Sequence, residues 1–343
     1  MVKLPQDIVK SLADNQYRWL ITGVAGFIGS NLLEVLLKHN QYIIGIDNFS
    51  TGKKENLLDV KKNVDKTQWK NFQFFEFNIE EYDKCNEITK DIDFVLHQAA
   101  LGSVPRSISD PILSNNANVS GFLNIINSAK DNNVKSFVYA ASSSTYGDHL
   151  SLPKTEDKIG KPLSPYAVSK YVNELYAHVF SINYEFHTIG LRYFNVFGKR
   201  QDPDGAYAAV IPKWIKAIIE NNEIFINGDG KNSRDFCFID NAIQANIIAA
   251  LSDKIKQHEV YNVAFGGRTA LNELADKIFN IASSKIDGLT LKKIYKEPRK
   301  GDVLHSQADI TKIKNNLKYT PTHDINQGLE KTVSWFIERR DQL

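Results

Sequence analysis

The sequence predicts an α/β protein, a doubly wound parallel sheet with helices on both faces, joined to a smaller interleaved region. Three observations lead there. Short β-rich runs alternate with helix-length segments through the first 200 residues. Several of those runs are almost wholly apolar, as in Tyr42-Ile43-Ile44-Gly45-Ile46, which suits strands covered on both faces rather than one. A glycine-rich turn separates the first run from the helical segment that follows it.

Taken in order, segment 4–12 reads as a short amphipathic surface helix. Strands are expected at 18–22, 42–47, 72–79, 94–100, 136–142 and 187–194, with a helix at 31–38 after the glycine turn. Beyond Gly198 the pattern is less regular: a helix at 209–221, the turn-rich Asn227-Gly228-Asp229-Gly230, and a helix near 241–251. Residues 1–190 are therefore assigned to a cofactor domain with a returning segment near 236–264, and 191–235 with 265–343 to a substrate region. Repeats and low-complexity stretches are not evident.

Composition narrows the function classes. The 42% hydrophobic content of 343 residues supports a sizeable core, and a net charge of +2 gives no reason to expect nucleic acid or an anionic membrane as partner. Cys85 and Cys237 are the two cysteines, outside any metal-ligand spacing, so two reduced thiols and no metal are expected. The first 17 residues lack a signal-peptide core, and no window approaches 18 apolar residues, which reads as a cytoplasmic protein.

The turn Gly23-Val24-Ala25-Gly26-Phe27-Ile28-Gly29 lets the backbone bend sharply and brings helix N-terminal amides toward a pyrophosphate. Asp47 ends the second strand 18 residues after Gly29, where a carboxylate accepts hydrogen bonds from a ribose 2′-hydroxyl and repels a 2′-phosphate. By itself Asp47 reads equally well as a turn residue before Asn48. With the glycine loop it favours NAD over NADP.

These glycines, with His97-Gln98-Ala99-Ala100 closing the fourth strand, resemble the extended short-chain dehydrogenase/reductases, a Rossmann-fold family. The likeness runs to about residue 330 and implies NAD contacts at Gly23, Gly26, Phe27, Ile28, Gly29, Asp47, Asn48, Ser50, Thr51, Gly52, Gln98, Ala99, Ala100 and Val196. Asn78-Ile79 would touch the adenine; this chain carries Asn78 where the family usually has an aspartate, keeping an acceptor oxygen and losing the charge.

Ser142-Ser143-Ser144-Thr145-Tyr146-Gly147 ends the fifth strand, and Ser164-Pro165-Tyr166-Ala167-Val168-Ser169-Lys170 opens the next helix. Ser164 suits an N-cap and Pro165 the first helical position, so Tyr166 and Lys170 should share one helix face. A nearby ammonium lowers a phenol's pKa, and Tyr166 is expected to act as base with Lys170 and the nicotinamide ring favouring its phenolate. The resemblance implies that Ser142 shares a hydrogen bond with a sugar 4-hydroxyl, with Ser143 and Ser144 against the substrate. The reaction it implies is oxidation at carbon 4 of a UDP-sugar and re-reduction from the opposite face, with no net use of NAD.

Guanidinium groups suit a diphosphate. Arg234 in Arg-Asp-Phe and Arg299 before Gly301-Asp302-Val303 match diphosphate-binding contexts of nucleotide-sugar epimerases, whereas Arg268 alone reads as a solvated charge. The resemblance adds Asp302 on the uridine ribose, Phe225 to Asn227 along the uracil, and Asn195 beside the sugar and diphosphate. It also adds Gly102, Ser103, Ala209, Val210 and Trp214 at the substrate. Sugar 4,6-dehydratases carry Asp and Glu after the strand-end hydroxyl; Ser143 and Ser144 stand here, which disfavours dehydration. Ser306 occupies a position where hexose-restricted 4-epimerases carry a bulky tyrosine, leaving room for an N-acetyl group. The expected activity is thus interconversion of UDP-N-acetylglucosamine and UDP-N-acetylgalactosamine by a homodimer supplying surface-polysaccharide precursors. UDP-glucose or UDP-glucuronate epimerisation, and an NAD-binding protein without turnover, are the alternatives.

Overall fold

The computed structural model describes residues 2–205, 208–253, 257–298 and 304–340. Seven strands form one parallel sheet: β1 Arg18–Thr22, β2 Tyr42–Asp47, β3 Phe72–Glu76, β4 Phe94–His97, β5 Ser136–Ser142, β6 Thr188–Tyr193 and β7 Glu259–Val263. Their order across the sheet is β7-β6-β5-β4-β1-β2-β3. Alternate residues feed two separate cores, Trp19 and Ile21 on one face and Leu20 with Ile46, Val95 and Phe137 on the other. That double burial is why these strands read as unbroken apolar runs.

Strand order reverses between β1 and β4, and a crevice outside their C-terminal ends is the ligand site such sheets offer. The fourth strand is shorter than the expected 94–100. Past His97 the backbone leaves the regular ladder: Gln98 N–H donates to Thr22 O (3.2 Å), and both Gln98 and Ala99 N–H donate to Thr22 Oγ1 (3.1 Å each). The third strand likewise stops at Glu76, three residues short of expectation, before a turn at Asn78 where Glu81 N–H bonds back to Asn78 O.

The helix expected at 31–38 starts earlier, at Phe27, with Gly26 as its N-cap. Glycine is a poor helix residue, so Gly29 hid that first turn from the sequence pattern. The N-terminal helix spans Gln6–Asp14 and buries Ile8 and Leu12. Later helices occupy Val210–Ile219 and Ile239–Ala250; the second is buried along nearly its whole length, which erases the amphipathic signature. It leads into β7, which returns to the sheet edge beside β6.

The rest of the second half is built on three two-stranded pairings. Val196–Phe197 pairs with Cys237–Phe238, Ser233–Arg234 with Thr269–Ala270, and Ile224–Asn227 with Lys293–Lys296. A charged cluster pins this half to the first one. Arg200 reaches Glu34, Asp59 (2.7 Å) and the Ser30 carbonyl (3.2 Å), while Lys38 and Lys199 also hold Glu34 (2.6 Å each) and Arg339 holds Asp59 (2.7 Å). Both cysteines are free and buried. Among the described residues no helix is long and apolar enough to cross a membrane, and no cluster of His, Cys, Asp or Glu could hold a metal ion.

Candidate active site

Each strand is followed at its C-terminal end by a candidate residue: Gly23 after β1, Asp47 at the end of β2, Gln98 after β4, Ser142 at the end of β5, Asn195 a little past β6 and Arg268 further past β7. Asn78 follows β3 two residues on. These positions therefore lie toward the C-terminal edge of the sheet.

At the switch point the glycines are required by shape. Gly23 has φ +67°, and a Cβ on it would lie 2.9 Å from the backbone of Ala99. A Cβ on Gly29 would lie 2.1 Å from Gly23 O, so the helix can seat against the loop only without one. Gly26 offers no capping side chain, and the first-turn amides of Phe27–Lys38 are left to face the crevice.

Asp47 stands beside that helix start. Ala25 N–H (2.9 Å) and Phe49 N–H (2.8 Å) donate to its two carboxylate oxygens, and the Asn48 backbone also acts on the carboxylate. Burial raises its pKa, against the pull of the backbone bonds. Asn48 closes the loop by accepting from Ser50 N–H (3.0 Å) and Ser50 Oγ (2.7 Å); Thr51 and Gly52 follow, with Gly52 against the Asp47 carboxylate. A loop whose glycines have no room for a Cβ, a helix N-terminus without a capping side chain and a carboxylate on the second strand fit a dinucleotide with an unphosphorylated ribose. Asn78 is largely occupied in its own turn: its amide donates to Glu80 Oε1 and accepts from Glu80 N–H, both at 3.2 Å. Ile79 is buried against Gly121.

Ser142 Oγ accepts from Ser144 N–H (3.1 Å) and pairs with Ser144 Oγ (2.8 Å), and it hydrogen-bonds Tyr166. Ser143 lies beside them, partly exposed, in a 3-10 turn. Ser164 caps the helix Pro165–Tyr184 through Ala167 N–H (3.1 Å), as its sequence indicated. The Lys170 ammonium donates to the Ala140 carbonyl (2.8 Å), and what acts on the Tyr166 phenol is burial, which raises its pKa, opposed by Ser142. Burial also lowers Lys170 to about 8. Lys170 is thus anchored to β5.

Asn118 supports this pair and was not singled out from the sequence. It lies in a π-helical turn, Asn116–Ser120, a distortion common at functional sites. Its side chain bonds both Leu101 N–H (2.7 Å) and Leu101 O (3.2 Å) and donates to Ser169 Oγ (3.1 Å), whose hydroxyl donates to Tyr166 O (2.8 Å). Gly102 next to Leu101 is exposed, and Ser103 caps the following helix through Arg106 N–H (3.1 Å). Gln98 is held by Tyr193 OH and Asn246 Oδ1, both at 3.1 Å, and Ala99 and Ala100 follow it partly exposed.

In the second half, Arg234, Arg268 and Ser306 are drawn together. Thr269, next to Arg268, pairs with Arg234; Ser306 N–H donates to Ser233 O (3.0 Å); and Arg234 Nη1 donates to Leu304 O (3.1 Å). Beneath them Asp235 is fully buried, accepting from Phe265, Gly266 and Ala308 N–H at 3.1 to 3.2 Å, with burial raising it to about 7. Asn195, at φ +36°, donates to Asp235 O (2.9 Å), and Val196 follows partly exposed. Phe225 is 41% exposed with the Lys296 ammonium 3.7 Å from its ring centroid, and Asn227 ends the same strand. Ala209 N-caps the helix begun by Val210, whereas Trp214 is sunk in the core with its indole N–H on Phe225 O (3.3 Å), supporting that strand from below. Arg299 and Asp302 lie outside the described residues.

A doubly wound parallel sheet with a dinucleotide cradle at its switch point and a Tyr-Lys helix beside it defines a nicotinamide-dependent enzyme. A family model described as the NAD dependent epimerase/dehydratase family matches residues 19–264, and the chain belongs to that family. Its cofactor is NAD. Among solved structures, one neighbour is a UDP-N-acetylglucosamine 4-epimerase from Methanobrevibacter ruminantium in complex with UDP-N-acetylmuramic acid. It is 36% identical with TM-score 0.86, over 95% of this chain and 99% of that one. Another is a UDP-glucuronic acid 4-epimerase from Bacillus cereus with UDP-glucuronic acid and NAD, 31% identical with TM-score 0.82, over 94% and 99%. A putative UDP-glucose 4-epimerase of Methanocaldococcus jannaschii is 35% identical over 92% of this chain and 97% of its own.

Proposed function

We propose that the chain is a 4-epimerase interconverting UDP-N-acetylglucosamine and UDP-N-acetylgalactosamine through a 4-keto sugar. The observation that carries this reading is the meeting of Tyr166, Ser142 and the anchored Lys170 at the end of β5, next to the cofactor crevice. Tyr166 takes the proton of the sugar 4-hydroxyl while Ser142 holds that oxygen by a shared hydrogen bond. Bound NAD would supply the hydride acceptor and donor that the chemistry at carbon 4 requires. The buried Lys170 ammonium, four residues along the same helix, and the positive ring of bound NAD would both favour the Tyr166 phenolate against the effect of burial. Arg234, with Arg268, Arg299 and Asn195, holds the diphosphate and leaves the hexose free to present either face. Phe225 and Asn227 receive the uracil, and Asp302 the ribose.

The choice among sugars rests on Ser306, whose backbone bonds Ser233 next to Arg234. A serine there leaves space beside the diphosphate for an acylamino group, in keeping with a neighbour solved with an N-acetylated sugar nucleotide. Incubation with UDP-N-acetylglucosamine, UDP-glucose and UDP-glucuronate in turn, without added reductant, tests it by NMR of the products. The acetylated sugar should give the highest initial rate. Faster turnover of either other sugar would reassign the substrate, and no turnover of any would remove the enzymatic reading.

The same reading includes a homodimer. Val168, Leu175, Val179 and Ile182 recur along one side of the helix Pro165–Tyr184, and Ile108 and Ile112 stand exposed on the neighbouring short helices. A stripe of exposed branched aliphatic side chains is the surface a second copy would cover.

A further inference from the structure

The cofactor crevice has two lips far apart in sequence. One is the loop after β2, whose Lys53 N–H donates to Ala25 O in the glycine loop (3.0 Å), with Gly52 packed on the Asp47 carboxylate. The other is segment 199–205, which follows Val196–Phe197 and is fixed from below by Lys199 and Arg200 on the helix Phe27–Lys38. The Lys53 ammonium crosses between them to Asp202 Oδ1 at 2.7 Å, joining residues 149 positions apart. Asp202 is braced in turn by accepting Asp204 N–H (3.0 Å) on the same carboxylate.

We infer that the Lys53–Asp202 pair is a latch across the dinucleotide's binding crevice that slows NAD release. The inference rests on the crevice being the NAD site and goes beyond it, since the latch acts on the rate of leaving and not on the chemistry. Lys53 and Asp202 are positioning residues. The lower lip on each side is rigid: Asp202's segment by the Arg200 cluster, Lys53's loop by its bond to Ala25 and by Asn56 Nδ2 on the same carbonyl (2.8 Å). Opening then means parting the Lys53–Asp202 contact, made by two partly exposed side chains. An exchange-free redox cycle such as the one proposed gains from that arrangement, because NADH lost in mid-cycle strands a keto sugar.

The test measures retention of radiolabelled NAD by the intact protein after rapid desalting into excess unlabelled NAD. Lys53→Met and Asp202→Asn should each release label about two- to fivefold faster, the size expected of an exposed ion pair. The double variant should match either single one, and the exchanged pair, Lys53→Asp with Asp202→Lys, should recover most of the retention. Raising salt from low ionic strength to about 1 M should speed release from the wild type and leave Lys53→Met unchanged, since exposed pairs are screened. Release rates unchanged in both single variants, additive effects in the double variant, or equal salt sensitivity in wild type and Lys53→Met would each overturn the latch. A wild-type protein that takes up no NAD would instead overturn the site on which it rests.

Discussion

Replacing Gly29 by alanine tests how tightly the cofactor cradle is specified. In an ordinary helix the change stabilises by about 1 kcal/mol, because alanine loses less backbone freedom. Here the new Cβ would lie 2.1 Å from Gly23 O, 2.8 Å from Gly23 C and 2.9 Å from Val24 Cα. All three are backbone atoms, so no side chain can turn aside. Ordinary contact distances require the helix start and the loop to part by about 1 Å, and overpacking of that kind costs about 1–3 kcal/mol. The upper end applies because Gly23, at φ +67° and pressed against Ala99, has no room to retreat. We expect Gly29→Ala to lose about 2 kcal/mol in urea unfolding. We also expect it to bind NAD at least tenfold more weakly by calorimetry, since the amides at Phe27 and Ile28 move with the helix. Gly26→Ala, whose Cβ meets only Gly23 O at 3.1 Å, and Gly102→Ala, which meets nothing within 4 Å, serve as controls with small effects on stability. A Gly29→Ala protein as stable as wild type and holding NAD equally well would refute the steric argument.

Other perturbations follow from the same geometry. Burial alone would raise Glu34, but Arg200, Lys199 and Lys38 bring it down to about 2; its stabilisation is complete above its unfolded pKa near 4.5 and is lost as pH falls through about 2. Glu34→Gln should thus cost about 3 kcal/mol at pH 7 in urea melts, a gap that narrows steadily below pH 4.5; a gap independent of pH would contradict the assignment. Ser306→Tyr should cut kcat/KM for UDP-N-acetylglucosamine by about 10-fold or more and spare UDP-glucose, whereas equal losses would discredit the pocket at Ser306. Ile182→Glu, on a side chain 65% exposed, should give a monomer by light scattering, and an unchanged mass would move the interface elsewhere.

Much of the fold was legible because its strands are buried on both faces and so carry their signal in composition alone. Arg18–Thr22, Tyr42–Asp47 and Ser136–Ser142 have the boundaries read from the sequence. The boundaries that differ lie where tertiary bonds override the pattern: β4 stops where Thr22 captures Gln98 and Ala99, and the first crevice helix starts at Phe27 because Gly29 is there for packing. The glycine loop, Asp47, and Tyr166 with Ser142 could be singled out because each sits at a recognisable strand end or helix start, where a family resemblance can be read. Asn118, Asp235 and the Gln98-Tyr193-Asn246 contacts were not, because their meaning depends on partners 17 to 148 residues away and on no local spacing. The Lys170 anchor was hidden for a related reason: helical spacing puts it four residues from Tyr166, but only the sheet beneath supplies the Ala140 carbonyl to which its ammonium donates.

The proposed chemistry turns on one oxygen atom, the Tyr166 hydroxyl. Removing it by Tyr166→Phe, in protein still loaded with NAD, and following UDP-N-acetylglucosamine by NMR is the most direct measurement. The account predicts retained binding of NAD and UDP and a fall in turnover of at least about 100-fold. Epimerisation at the wild-type rate would contradict it.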